Sequence, residues 1–252
     1  MPPESRIDVS RDGAVTLLVL RNAPDNRLTR AIVAELAARV ADLEKDDATR
    51  AVVLAGQGDF CGGLDLLEWG ALSPKEAQEE IQRGFEAFWA LEHMTKPTVA
   101  AISGRCEGAG LELALACDLR VASENAVFRL PQVDLAFMPS HGGTARLPRV
   151  VGRSRALEIL LTGKAVRAID ALRWGLVDHL AAPGEALTEA KAFAATFASK
   201  PRSAVRAIKR ALAEGEEKPY RNRFLLESQY AVQLLHTEEY RRALPKGTGK
   251  RE

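Results

Sequence analysis

Residues 104–118 read GRCEGAGLELALACD, and this segment constrains the chain more than any other. The preceding run 97–102, PTVAAI, predicts a buried strand, and residues 111–117 are apolar nearly all round, which predicts a buried helix. The turn between them is rich in glycine. A glycine turn at a helix start leaves backbone N–H groups free, and the helix dipole adds to their positive potential. Such a turn stabilises negative charge, either on a phosphate or on an oxyanion that develops during a reaction.

A dinucleotide site is one alternative interpretation of this turn. Gly104, Gly108 and Gly110 match the G-x-x-x-G-x-G spacing of short-chain dehydrogenases. However, the turn lies behind another complete block of strands and helices, whereas a dinucleotide turn follows the first strand of its domain. The Tyr-x-x-x-Lys pair is also missing, because each of the three tyrosines has an apolar residue four positions later. A glycine turn that only allows close helix packing stays open as a further alternative.

A second turn of the same kind lies earlier in the chain. Residues 51–56, AVVLAG, predict a short strand, and residues 57–66, QGDFCGGLDL, form another glycine-rich segment that leads towards a helix. An oxyanion hole with two donors requires two separate turns that offer backbone N–H groups. The pair of turns therefore favours the oxyanion interpretation.

The order of motifs resembles the enoyl-CoA hydratase/isomerase (crotonase) superfamily. The likeness runs from about residue 15 to about residue 183, and it rests on the two turns and on four further motifs: LPQVDL at 130–135, GGTARLPRVVG at 142–152, LLTG at 160–163 and ALRWGLV at 171–177. The resemblance implies an α/β fold built as a spiral of β-β-α repeats, with a helical C-terminal region. We place the spiral core at residues 1–195 and the C-terminal helical region at residues 196–252.

The resemblance also implies the chemistry of the site. An acyl-CoA enzyme of this kind stabilises a thioester enolate, and the family pattern places the two backbone donors at Gly62 and Ala109. Glu112 matches one of the two glutamates of family hydratases, and a carboxylate in an apolar helix has a raised pKa that suits acid or base work. The second glutamate falls on Gln132. An amide can hold a water or a carbonyl, but it does not exchange a proton at ordinary pH.

Three further residues are candidates for the missing proton carrier. Ser140 lies where some divergent members carry a catalytic aspartate, His141 follows it, and Glu107 precedes the second turn. A histidine there could titrate near pH 7. The residues expected to contact the substrate flank the two turns: Cys61, Gly63, Leu64, Asp65, Trp69 and Gly108. Asp65 also has the position of a helix cap.

Hydration or isomerisation of an enoyl-CoA is the leading assignment, with Glu112 as the main acid/base. A double-bond shift suits a single carboxylate better than two-glutamate hydration. The alternatives are decarboxylation or C–C hydrolysis of an acyl-CoA, and a catalytically silent CoA-binding subunit. We expect the CoA thioester to be the substrate, with no tightly bound cofactor and no metal.

The composition limits which classes of binding partner and which cellular compartment we expect for this protein. The 35 basic and 34 acidic residues nearly balance, so nothing points to nucleic acid or to an anionic membrane surface. Three cysteines without a CxxC pair argue for a reducing compartment and against a metal site. With no signal-peptide or membrane-spanning pattern, we expect a cytoplasmic protein. The resemblance implies a homotrimer or a hexamer made of two trimers.

Local signals predict several elements outside the site. Residues 14–20 alternate weakly and predict a strand. Thr29 is placed to cap a helix that runs through Leu43. Ser73 and Glu76 flank Pro74 in a capping-box arrangement that opens another helix.

Overall fold

The computed structural model describes residues 6–244, in which strands and helices alternate along the chain. The strands are β1 (Arg6–Asp12), β2 (Val15–Arg21), β3 (Ala51–Gly56), β4 (Thr98–Ile102), β5 (Arg105–Glu107), β6 (Leu119–Ser123), β7 (Val127–Arg129), β8 (Val166–Arg167) and β9 (His179–Ala181). The helices are α1 (Arg30–Lys45), α2 (Leu66–Gly70), α3 (Pro74–Glu92), α4 (Ala109–Leu115), α5 (Gly143–Val151), α6 (Arg153–Thr162), α7 (Ala168–Trp174), α8 (Ala186–Ala198), α9 (Arg202–Gly215), α10 (Tyr220–Leu235) and α11 (Glu238–Ala243). A short 3-10 helix spans Pro131–Leu135.

Six strands form the main sheet in the order β1-β2-β3-β4-β6-β9. β1 and β2 make an antiparallel hairpin, and the following pairs are parallel. The central strands β3 and β4 are apolar almost throughout because both of their faces are covered. One face meets the main hydrophobic cluster, and the other packs against α8 through Ala186, Ala190 and Ala194.

A second, smaller sheet has the order β5-β7-β8. β5 and β7 are parallel, and a parallel bridge between Cys61 and Cys106 extends this sheet towards the first glycine turn. Each of β3, β4 and β6 is thus followed by a short segment in the small sheet and then by a helix. This recurrence of strand, strand and helix is the spiral of β-β-α units that the resemblance implies.

The local signals in the sequence are confirmed. The Thr29 side chain caps α1 by accepting a hydrogen bond from the Ile32 amide at 3.2 Å. Ser73 and Glu76 form the predicted capping box at the start of α3. The strand predicted over residues 14–20 is β2. β1 was not predicted, because most of its side chains are exposed and polar, as is usual for an edge strand.

The C-terminal helices differ in how far they join the core. α8 packs on the main sheet and ends at Ala198, whereas α10 and α11 bury no residue within this chain. The division into residues 1–195 and 196–252 stays a prediction, and its outer ends, residues 1–5 and 245–252, lie outside the described part of the chain. Over residues 6–244, none of the helices combines the length and the apolar character needed to cross a bilayer.

A substitution at Gly110 tests the contact between α4 and the first glycine turn. A Cβ at Gly110 would lie 2.4 Å from the Cys61 carbonyl oxygen and 2.9 Å from the Cys61 sulfur. Since the carbonyl belongs to backbone that cannot move aside, we expect Gly110→Ala to lower the free energy of unfolding by about 1–3 kcal/mol. Gly70→Ala is the control, because a Cβ at that helical glycine meets no atom within 4 Å. Thermal denaturation of both variants measures the difference, and equal midpoints would contradict the close contact.

Candidate active site

The two glycine turns meet side by side. Gly63 and Gly108 both have positive φ angles, +98° and +53°, which favour glycine. A Cβ at Gly63 would lie 3.2 Å from the Glu107 carbonyl oxygen and 3.6 Å from the Ala109 nitrogen. The bridge between Cys61 and Cys106 aligns the chain just before each turn. The sequence-based expectation that the two turns form one site is therefore consistent with their positions.

The structure contradicts the prediction for one of the two backbone donors. The Gly62 amide donates to the Asp25 carbonyl at 2.7 Å, so the prediction that it is a free donor is wrong. The Leu64 amide in the same turn has no acceptor among residues 6–244. Leu28 pairs with this turn through the Gly63 carbonyl and the Asp65 amide, which leaves the amide between them pointing away.

Ala109 supplies the other unpaired amide. It is the first residue of α4, where the helix provides no acceptor for its N–H. Within residues 6–244, neither the Leu64 amide nor the Ala109 amide has a hydrogen-bond acceptor. Both residues line the same cavity. The alternation of bonded and free amides along a β-bridge is not visible in a sequence, which is why Leu64 was expected only as a substrate contact.

A cavity of about 390 Å³ lies in front of these amides. Most of its wall is apolar, and it is lined by Arg27, Gly62, Gly63, Leu64, Leu66, Trp69, Gly70, Ala77, Ile81, Gly108, Ala109, Glu112, Pro131, Gln132, Leu135, Phe137 and Ser140. Glu112 is the single carboxylate among these residues. The sequence did not single out Arg27, Ala77 or Phe137, because nothing in their local pattern separates wall residues from ordinary packing.

Glu112 is held from one side by two backbone donors. Its Oε1 accepts hydrogen bonds from the amides of His141 and Gly143, both at 2.8 Å. Its Oε2 has one contact, from Gln132 Nε2 at 3.3 Å. Burial within the apolar helix raises the pKa of Glu112 to about 7, although the two amides and the nearby Arg146 lower it. The Glu112 carboxyl thus titrates near neutral pH, and Oε2 is the less strongly bonded of its two oxygens.

Gln132 lies in the 3-10 helix and is buried next to Glu112, as expected from its family position. Its Nε2 makes the contact with Glu112, and its Oε1 is buried with no partner among the described residues. Ser140 also lines the cavity, and its Oγ lies 2.9 Å from His141 Nδ1.

The prediction that the His141 imidazole joins the proton chemistry is wrong. The ring is fully buried outside the cavity wall, where it packs against Phe88 and edge-on against Trp69. Burial and the neighbouring Arg146 lower its pKa to about 4, so the ring is neutral at pH 7. His141 serves the site through its amide, which binds Glu112. The Gly143 amide donates to the same carboxylate, and the sequence did not predict this bond because any residue type can supply a backbone N–H.

Only some of the residues predicted to contact the substrate line the cavity. Gly63, Leu64, Trp69 and Gly108 line the cavity, and Trp69 is fixed there because its Nε1 donates to the Leu28 carbonyl at 3.1 Å.

Cys61, Asp65 and Glu107 do not line this cavity, so the substrate contacts predicted for Cys61 and Asp65, and the proton transfer considered for Glu107, stay predictions. Cys61 is fully buried, which raises its pKa to about 12. The Asp65 side chain caps α2 by accepting from the amides of Leu67 and Glu68. Glu107 ends β5, where its amide donates to the Cys61 carbonyl. Across residues 6–244, no cluster of three or more His, Cys, Asp or Glu side chains forms a candidate metal site.

The pKa of Glu112 predicts how stability changes with pH. Since the pKa rises from 4.5 to about 7 on folding, the folded state favours the protonated form, and this stabilisation is lost as the pH rises towards 7. Glu112→Gln has no carboxylate to ionise at this position. The melting temperature of the variant minus that of the wild type should therefore be larger at pH 8 than at pH 5. Glu107→Gln, which changes a carboxylate outside the cavity, is the control. A Glu112→Gln difference that is the same at both pH values would contradict the raised pKa.

Comparison with known proteins agrees with this geometry. Residues 10–251 match the sequence profile of the enoyl-CoA hydratase/isomerase family. Among its relatives, the crotonyl-CoA hydratase of Syntrophomonas wolfei is 37% identical over 85% of this chain and 84% of that protein. The short-chain-enoyl-CoA hydratase of Clostridium acetobutylicum is 31% identical over 98% of this chain and 96% of that protein.

Solved structures show the same fold. An enoyl-CoA hydratase from Bacillus anthracis superimposes with a TM-score of 0.89 at 32% identity, covering 92% of each chain. DspI from Pseudomonas aeruginosa superimposes with a TM-score of 0.91 at 33% identity, covering 93% of this chain and 90% of that one. The crotonase-like spiral is therefore confirmed, and the chain belongs to the enoyl-CoA hydratase/isomerase family of acyl-CoA enzymes.

Proposed function

We propose that this protein adds water reversibly to a 2-enoyl-CoA thioester, with Glu112 as its only proton carrier. The observation that carries the proposal is the meeting of three groups at one cavity: two unpaired amides, at Leu64 and Ala109, and the single carboxylate of the wall. The crotonyl-CoA and short-chain-enoyl-CoA hydratases among its relatives support the same reaction. The CoA thioester is the substrate, and the mechanism requires no bound cofactor.

The two amides stabilise the charge that develops on the thioester oxygen. When an oxygen nucleophile bonds to C3 of a 2-enoyl thioester, the π electrons shift to form an enolate whose charge lies on that oxygen. Backbone donors that are already in place act without reorganisation, and removal of one such donor in other enzymes costs about 3 kcal/mol. Because Leu64 and Ala109 donate through the backbone, their side chains can vary without loss of the donors.

One carboxylate is enough to complete the hydration. Ionised Glu112 takes a proton from the water as its oxygen bonds to C3, and protonated Glu112 then gives that proton to C2 of the enolate. Atoms and charges balance, since the hydroxyl ends on C3 and the proton on C2. The pKa of about 7 fits this cycle because the group must both accept and release a proton.

A double-bond shift is the second candidate. In a 3-enoyl-CoA, Glu112 would remove a proton from C2 and return it to C4 through the same enolate. The presence of a single carboxylate on the wall favours this reaction, since it needs no nucleophilic water.

We also propose the compartment and the assembly. Cys61, Cys106 and Cys117 are all unpaired and buried, which suits a reducing cytoplasm. Apolar side chains on α9 and α10 are exposed in the single chain, including Leu212, Phe224 and Val232. A homotrimer, or a hexamer made of two trimers, would cover such a surface, with the C-terminal helices helping to close the site.

Glu112→Gln tests the proposed proton carrier. We expect hydration of crotonyl-CoA to fall about 10²–10⁴-fold in both kcat and kcat/KM, because the lost group acts only in the chemical steps. Binding of a saturated acyl-CoA, measured by calorimetry, should stay close to that of the wild type. In the wild type, kcat/KM should rise about tenfold per pH unit below 7 and level off above it. Glu107→Gln is the matched control and should keep its activity.

The same assay separates the other candidates. Liquid chromatography with mass spectrometry, run on crotonyl-CoA, a 3-enoyl-CoA and a malonyl-type CoA, identifies the product of each, because it separates isomers of equal mass by retention time. Consumption of only the 3-enoyl-CoA would replace hydration by isomerisation, and loss of CO₂ would indicate a decarboxylase. Hydrolysis of a 3-oxoacyl-CoA, added as a fourth substrate, would indicate C–C cleavage. A protein that binds acyl-CoA but converts none of them would be a silent subunit.

Light scattering tests the assembly. We expect a mass of three or six chains at micromolar concentration, since burial of the exposed apolar residues favours association. Phe224→Glu and Val232→Glu should lower the mass, whereas Glu124→Lys, which changes the charge of an exposed residue outside α9 and α10, should not. A monomer in the wild type would contradict the proposal.

A further inference from the structure

A buried arginine lies behind the loop that binds Glu112. Arg146, in the first turn of α5, is 4% exposed. Its Nη1 donates to the His141 carbonyl at 2.6 Å, in the same loop whose His141 and Gly143 amides donate to Glu112 Oε1. The loop is therefore bonded to the Glu112 carboxylate through its amides and to Arg146 through a carbonyl. Arg146 does not line the cavity, so we expect it to act on the chemistry through Glu112.

Gly142 shows how closely the arginine fits this loop. Its φ of +105° lies in the left-handed region that favours glycine. Such a conformation lets neighbouring backbone N–H groups converge on one anion, here the carboxylate of Glu112. A Cβ at Gly142 would lie 2.1 Å from Arg146 Nη1. The guanidinium therefore fills the space behind the turn and supports the conformation that aims both amides at Glu112.

Glu92 holds Arg146 from the other side. It is the last residue of α3, and its Oε2 accepts hydrogen bonds from Arg146 Nε at 2.9 Å and from Nη2 at 2.7 Å. The Glu92 side chain is 25% exposed. A buried guanidinium needs such a partner, because an isolated charge is costly to remove from water. The ion pair joins α3 to α5, and its positive member contacts the loop that binds Glu112.

The two members of the pair act on Glu112 in opposite directions. The positive charge of Arg146 favours the ionised carboxylate and lowers the pKa of Glu112, as do the two amides that Arg146 supports. The negative charge of Glu92 offsets part of that effect, because a like charge favours the protonated form of a carboxyl.

The other charged groups on the elements packed against α4 are not bonded to this loop. These elements are α5, β5 and β6. Their arginines other than Arg146 each pair with a carboxylate elsewhere in the fold: Arg149 with Glu216, Arg105 with Asp59 and Arg120 with Asp178. Glu107 ends β5, and Arg27 of the cavity wall pairs with Asp25. Burial keeps the Cys106 thiol and the His141 imidazole neutral at pH 7, since it raises the pKa of the first and lowers that of the second.

We propose that Arg146 is a positioning residue for Glu112, and that Glu92 limits how strongly Arg146 favours the ionised carboxylate. Arg146 holds the two loop amides on Oε1, and Glu92 holds Arg146. This inference rests on the proposed function, because the balance between the two charges sets the pH at which the site works only if Glu112 is the proton carrier.

Infrared spectroscopy measures the ionisation of Glu112 without the need for turnover. The band of its protonated carboxyl is identified as the one missing from Glu112→Gln, and in the wild type it should disappear with a midpoint at about pH 7. Arg146→Met removes the positive charge and the bond to the loop, so the midpoint should rise by about one pH unit. Activity provides a second measurement, since the pH dependence of kcat/KM for crotonyl-CoA should have the same midpoint.

Glu92→Gln changes the other member of the pair. The glutamine keeps an oxygen that accepts from Arg146, but it removes the negative charge. The midpoint should therefore fall, by about half a pH unit, because Glu92 is partly exposed and water screens its charge. A fall is the opposite of what a loosened loop would produce, since loss of the amide bonds raises the pKa of Glu112.

Arg149→Met is the matched control. It makes the same substitution on the same helix and also breaks an ion pair, that with Glu216 at 2.9 Å. Its midpoint should stay at that of the wild type. A melting curve for each variant shows whether it has folded, and if Arg146→Met does not fold, the direction of the shift in Glu92→Gln decides.

Shifts in opposite directions would support the proposal. If the pair only ties α3 to α5, both variants would melt earlier with an unmoved midpoint, or both midpoints would move in the same direction, and either result would overturn it. A shift in Arg149→Met as large as that in Arg146→Met would also overturn it. Hydration rates that do not follow the infrared midpoints would instead refute Glu112 as the proton carrier, and would leave the action of the pair on its carboxylate intact.

Discussion

The parallel pairing of Cys61 with Cys106 is the contact on which the geometry of the site depends. Each cysteine stands just before a glycine turn, so their pairing brings two distant parts of the chain to the same place and in the same direction. Gly63 then approaches Ala109 closely enough that a side chain on Gly63 would press against the second turn. Because the donors are backbone amides, their positions are set by the sheet and not by flexible side chains. The two cysteines are buried for the same reason: they are part of the scaffold and do not reach the cavity.

The second constraint is the balance of effects on the Glu112 carboxylate. The apolar helix α4 removes water and raises the pKa, while the amides of the loop after Pro139 lower it. That loop is anchored by the His141 ring, which fills the space opposite Gly84; a Cβ at Gly84 would lie 2.2 Å from His141 Nε2. A neutral, buried imidazole therefore anchors the loop that holds the Glu112 carboxylate.

Much of the scaffold could be predicted from local patterns. Thr29 and the Ser73–Glu76 pair cap their helices through side-chain hydrogen bonds, which the sequence pattern indicates directly. The two turns could also be predicted, because Gly63 and Gly108 adopt positive φ angles that favour glycine. Glu112 could also be predicted, since a single acid in an apolar helix is conspicuous. The amide of Leu64 could not be predicted, because which N–H is free depends on how Leu28 pairs with the turn. The direction in which the His141 ring points depends on α3, a distant segment, and the sequence carries no sign of it.

A glutamine at the second position fits a site with one proton carrier. If a carboxylate stood where Gln132 is, at 3.3 Å from Glu112 Oε2, two like charges would face each other in a buried space, and one of them would have to bind a proton. The Gln132 amide instead offers an N–H to the Glu112 carboxylate, which favours its ionised form. In the hydration proposed above, the proton taken from water is the one delivered to C2, so a second titrating group is not needed to close the cycle. The departure from the two-glutamate pattern therefore fits the proposed mechanism, in which Glu112 alone carries the proton.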